Sequence, residues 1–116
     1  MVEYVQIISV EDDDDLIVAF GLASDSVTTL ILLRTPKFEV FLPEEDRGVS
    51  VGDANSSNED NERLVAVEWR DRVVQIVSTK RRYELDIHAI DPADIKLAKK
   101  VLRKMNFDRR FEIKGG

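Results

Sequence analysis

Twenty residues in the middle of the chain, PEEDRGVSVGDANSSNEDNE at 43–62, hold seven carboxylates against a single arginine. Within them Asp53, Asn55, Ser57, Glu59 and Asn61 set side-chain oxygens at alternate positions, the spacing of a calcium-binding loop. The pattern then fails. Its sixth position is Asn58, where the sharp turn needs glycine, and its twelfth is Leu64, where a bidentate glutamate should close the coordination shell. A second acidic run, Asp12, Asp13, Asp14 and Asp15, cannot aim four neighbouring carboxylates at one ion, because successive side chains of an extended segment point to opposite faces. No metal or other cofactor is implied. Both runs read instead as solvated carboxylate surfaces that favour a basic partner, with Glu44, Glu45, Asp46, Asp53, Glu59, Asp60 and Glu62 as one candidate contact set and Asp12–Asp15 as the other.

Acid–base chemistry has one neutral-range base to draw on, His88. On a strand it shares a face with Arg82, Glu84 and Asp86, while Tyr83, Leu85 and Ile87 face inward. An exposed polar face accounts for that stripe, and a small acid–base enzyme centred on His88 is the alternative it leaves. None of the nucleophile-elbow, phosphate-loop, dinucleotide or paired-histidine zinc motifs is present. The expectation is therefore a non-enzymatic protein. KLAKKVLRKM at 96–105 and KRR at 80–82 are basic and allow a regulatory or nucleic-acid-binding module built on helix 96–104. Two features speak against direct nucleic-acid binding: the lysines lie opposite an apolar stripe, and few aromatics are interleaved for base stacking.

These residues need a frame to hold them. Period-two alternation or short apolar runs mark strands at 2–10, 16–23, 27–34, 37–42, 64–69, 73–78 and 82–90, with short β-like stretches at 48–51 and 111–113. In 2–10 the alternation sets Val2, Tyr4, Ile8 and Val10 on one side. In 37–42 it sets Phe38, Val40 and Leu42 on one side of a fourth strand, after Pro36. Trp69 shares a face with Val65 and Val67, which predicts burial, although exposure beside Arg70 and Arg72 would make it an interface anchor. Asp91, Pro92 and Asp94 form a helix start, and Ile95, Ala98, Leu102 and Met105, widened by Leu97 and Val101, give one apolar stripe over a helix at about 92–106. Residues 52–62 read as a mobile acidic loop and 114–116 as a flexible tail.

Strands followed by a helix, without βαβ alternation, predict an α+β single domain over 1–116. Its six- to seven-stranded, mainly antiparallel sheet is curved or folded as a small sandwich or half-barrel, with one C-terminal helix. At 43% apolar and 34% charged residues the chain can build a core and still solvate its surface. It has no cysteine, so thiolate chemistry and disulfides are excluded. The amino-terminal stretch lacks a basic n-region and the longest apolar runs are far shorter than a membrane span, so a cytoplasmic protein without membrane insertion is expected. Charge is polarised along the chain: residues 1–62 carry −12 and residues 63–116 carry +6.

TPKFEVFLPEEDRGVSV at 35–51, LVAVEWRDRVVQIVSTKRRYELDI at 64–87 and KKVLRKMNFDRRFEI at 99–113 together resemble small immunity proteins encoded beside bacterial polymorphic toxins. The resemblance is one of short phrases and element order over about residues 35–113, and it does not specify the cognate toxin. It implies a protein that binds a toxin domain, often a basic nuclease, and blocks it by stoichiometric contact. An acidic surface suits that role, since complementary charge raises the association rate. Pairing of two copies through an unpaired sheet edge stays open.

Overall fold

The computed structural model describes residues 2–22, 29–53 and 62–115. Eight strands form one mixed sheet: β1 (Val2–Asp12), β2 (Leu16–Leu22), β3 (Thr29–Arg34), β4 (Ser50–Asp53), β5 (Leu64–Trp69), β6 (Val73–Ser78), β7 (Arg82–Asp86) and β8 (Glu112–Lys114). Two helices accompany them, a short α1 (Pro36–Glu39) and the long α2 (Pro92–Met105), with a 3-10 turn at Glu44–Asp46. The strand order is β4-β3-β2-β1-β7-β6-β5-β8. Two antiparallel meanders, β1 to β4 and β5 to β7, are joined where β1 runs parallel to β7, and β8 adds parallel to β5. β4, at one end of this order, also meets the start of β5, next to the other end: Ser50 bridges Arg63, Val51 N–H donates to the Glu62 carbonyl at 3.1 Å, and Leu64 N–H to that of Val49 at 2.9 Å.

The α+β class, the single domain and the main helix agree with expectation, while strand number and direction differ. Hairpin neighbours are local and legible, whereas the parallel pairs β1/β7 and β5/β8 join distant segments. Strand 2–10 does not keep one face throughout. A bulge between Val5 and Ile7 inverts its parity, so Val5 and Ile8 are buried while Tyr4 and Ile7 are exposed. A similar irregularity after Leu64 turns Val65 outward and leaves Val67 and Trp69 inside.

The core lies between the sheet and α2. β2 buries Leu16, Val18, Phe20 and Leu22, and α2 covers β1 and β2 with Ala98, Val101, Leu102 and Met105. Asp91 caps α2 by accepting from Ala93 N–H at 2.8 Å, and Asn106 ends it. Leu97 does not join the stripe; it is exposed beside Lys96 and Lys100. Lys114 and Gly115 are not part of a tail, because Lys114 pairs with Glu68 and Gly115 lies against Trp69, while residue 116 lies outside the described residues. Gly115 has φ +69 and lies so close to Trp69 that an added Cβ would come within 2.0 Å of its carbonyl oxygen, a place only glycine can fill. No helix among the described residues is long and apolar enough to cross a membrane.

Segment 37–42 is the largest departure. Its first three residues, with Pro36 before them, close into α1, because Pro36 at the first turn presets a helical φ and has no N–H to satisfy. The residue that strand parity would turn outward, Glu39, is buried. The residues that parity would bury, Phe38, Val40 and Leu42, are exposed.

Candidate partner-binding surface

Arg34 explains this inversion. It follows Leu30 and Leu32 on the inward face of β3, so its guanidinium enters the protein where α2 ends, and its side chain is fully buried. All five of its N–H donors are used. Nε and one Nη2 hydrogen donate to Glu39 at 2.9 and 2.8 Å, a bidentate fork. Nη1 and Nη2 donate to the two Asp108 oxygens, both at 2.8 Å. The remaining Nη1 hydrogen reaches the Met105 carbonyl at 2.6 Å, satisfying an orphan acceptor at the negative end of α2. The Phe107 ring packs on the guanidinium, 4.2 Å from its carbon to the ring centroid.

Burial alone would lower the Arg34 pKa, but hydrogen bonds and charge from Asp108 and Glu39 outweigh it and raise the value. Arg34 in turn holds the Asp108 carboxyl well below its ordinary range, at about 2, against the opposing effect of burial and with help from Arg110. Arg34 is thus a permanent cation between two carboxylates, and through them it ties β3, α1 and the segment after α2 to one another.

With Glu39 pulled inward, its neighbours are held outward. Phe38 is 57% exposed, Val40 68%, Phe41 82% and Leu42 42%, and Phe107, stacked on Arg34, is 60% exposed. Clusters of exposed large apolar side chains occur at protein-interaction sites and ligand grooves, and aromatic residues are the usual anchors of the former. The exposed acids Glu44, Glu45 and Asp46 follow directly in the 3-10 turn, and Glu44 lies 3.7 Å from Arg110. Gly48, at φ +132, a conformation that favours glycine, makes the turn that returns the chain to β4.

The Asp12–Asp15 turn comes to the same region from β1. Asp15 accepts from Thr35 Oγ1 at 2.7 Å and Asp14 from Lys37 Nζ at 3.1 Å, which sets that turn against the start of α1. Asp12 diverges to Lys104 at 2.6 Å, and Asp13 is exposed. The fold therefore brings Asp14 and Asp15 from one predicted acidic set, and Glu44, Glu45 and Asp46 from the other, to the margins of one apolar segment.

Other members of the acidic set are placed differently. Glu62 is buried, accepting from Ser78 Oγ and, at 3.0 Å, from Tyr83 OH, with Arg81 3.8 Å away. It is removed from the surface set because its carboxylate serves the interior. Asp53 ends β4, and with it Gly52 belongs to the sheet instead of a loop. Glu59, Asp60 and the rest of the expected mobile stretch, 54–61, lie outside the described residues.

The other sequence candidates lie elsewhere. His88 is exposed in the turn after β7; its Nδ1 is 2.6 Å from Asp86 Oδ1, and its ring meets Tyr4 edge-on at 6.3 Å. The His88 backbone N–H, followed by its ring, lowers the Asp86 pKa. Trp69 is buried, with Lys99 Nζ 5.2 Å from its ring centroid. The aromatic surface was missed by sequence reasoning, yet two signals pointed to it: Pro36, which suits a helix start, and the inward parity of Arg34, which requires a carboxylate nearby.

Comparison of the chain with protein-family models, with curated proteins and with solved structures gave no match. Function is therefore read from the surface itself.

Proposed function

We propose that this chain is a stoichiometric protein inhibitor of the immunity-protein kind, which captures a basic toxin domain on the surface formed by Phe38–Leu42 and its acidic margins. The observation that carries the reading is the outward set of Phe38, Val40, Phe41 and Leu42, fixed from beneath by a fully bonded buried arginine. An anchor held rigid before binding loses little entropy when the partner arrives. Carboxylates around it speed the encounter with a basic partner, while the apolar centre sets the residence time.

A stable complex covers about 800 Å² on each partner, more than four side chains supply, so the interface includes the Glu44–Asp46 and Asp14–Asp15 margins. The likeness of 35–51 to immunity proteins falls on this same stretch, which supports the class of partner.

The test is co-expression with the product of the reading frame directly upstream. Wild-type chain should restore growth that this product arrests, and Phe41→Ser should fail to restore it while remaining folded. Growth arrest that the wild-type chain leaves untouched contradicts the proposal.

A further inference from the structure

Next to Arg34 a second arginine is placed very differently. Arg63 has its backbone pinned where the sheet ends meet: its N–H donates to Thr79 Oγ1 at 3.1 Å, and its carbonyl accepts from Thr79 N–H at 2.8 Å. Its guanidinium reaches toward the space between α1 and β4, where no carboxylate of the described residues meets it. Nη1 donates to Ser50 Oγ at 3.5 Å and to the Glu62 carbonyl at 3.4 Å, and Nη2 donates to the Asp46 carbonyl at 3.3 Å. All three contacts are at the long end of hydrogen bonding. Nε is buried and has no partner at all. A buried donor left unsatisfied costs about 1–3 kcal/mol, and such an atom calls for an explanation.

The guanidinium borders a cleft of about 300 Å³, at the small end of ligand-site volumes. Phe38 and Leu42 form its apolar wall, and Ser50 adds a hydroxyl. Arg34 and Glu39 also border it, but the donors of the first and both oxygens of the second are already committed to one another, to Asp108 and to Met105. Asp46 turns its main-chain carbonyl toward Arg63. Arg63 is therefore the cation with donors to spare. A small rotation about its stem gives up only the long contacts and brings Nε and one Nη to the cleft as a planar fork, the geometry a carboxylate matches.

We propose that this cleft binds a small organic acid, its carboxylate on the Arg63 fork and its short apolar stem against Phe38 and Leu42. The site requires no toxin, so it stands or falls apart from the proposed function.

Hexanoate, with hexanamide as its uncharged counterpart, is the probe, titrated into the isotopically labelled chain and followed by proton–nitrogen correlation spectra. Saturable shifts are expected at the Arg63 Nε–H and the Gly48 and Ser50 amides, with hexanamide about tenfold weaker, as the loss of a charge-assisted bond requires. Arg63→Gln should weaken hexanoate by a similar factor. Arg63→Lys, which keeps the charge but loses the fork, should also weaken it and serves if the glutamine variant does not fold. Absence of saturable shifts, which would leave a water as the only companion of Nε, overturns the proposal. So does equal binding of hexanamide, or unchanged affinity in a folded Arg63 variant.

Discussion

Arg34 decides how this molecule presents itself. Replacing it by leucine leaves Glu39 buried and Asp108 without its main partner, a type of lesion that costs about 3–5 kcal/mol. Urea unfolding of Arg34→Leu should show that loss, and Phe38 and Phe41 should become mobile on the same change. Asp108 adds a pH signature. Its folded pKa is lowered from 3.8 to about 2, so its contribution is complete above the unfolded value and disappears as pH falls through the folded one. Solvent screening of this exposed residue reduces the contribution to about 1 kcal/mol, lost between about pH 4 and pH 2. Asp108→Asn should lack that part of the acid limb when unfolding free energies are measured across the range, and an unchanged limb would remove the Arg34–Asp108 pair from the account. The sequence carried a trace of this centre, since Leu30, Leu32 and Arg34 alternate on one face. Its two carboxylates, five and 74 residues away, were not legible because only the closed fold brings them together.

Among the elements, those with local causes were readable. α2 has its cap, its proline and its stripe within one stretch of chain, and the hairpins β2–β3 and β5–β6 follow from alternation and short connections. α1 was misread because alternation in KFEVFL imitates a strand, whereas burial of Glu39 by Arg34, five residues earlier, makes the opposite face the inner one. β8 was foreseen as a short strand, but its position was not, since a parallel pair with β5 leaves no mark in local pattern. Its attachment gives a prediction: Gly115→Ala places a methyl against the Trp69 carbonyl at a positive φ, for about 1–3 kcal/mol of strain. Amide exchange should then quicken at Ile113 and at its β5 neighbours while α2 stays protected, and uniform protection would show that the end of β8 bears no such constraint.

At the scale of the whole molecule, the described acids near α1 and the exposed cations of α2 lie on different elements. Asp14, Asp15 and Glu44 to Asp46 border the aromatic segment, while exposed Lys96, Lys100 and Arg103 belong to α2. Apolar centre and charged margin should therefore separate in kinetics. The decisive measurement is the association and dissociation of the immobilised chain with the purified product of the upstream reading frame, at low and physiological salt. Phe41→Ser, at an 82% exposed position, should leave stability within about 0.5 kcal/mol and raise the dissociation rate about 30-fold or more, with little change in association. Reversing Glu44, Glu45 and Asp46 to lysine should slow association and flatten its salt dependence. A complex whose two rates ignore both sets of changes would contradict the assignment of this surface.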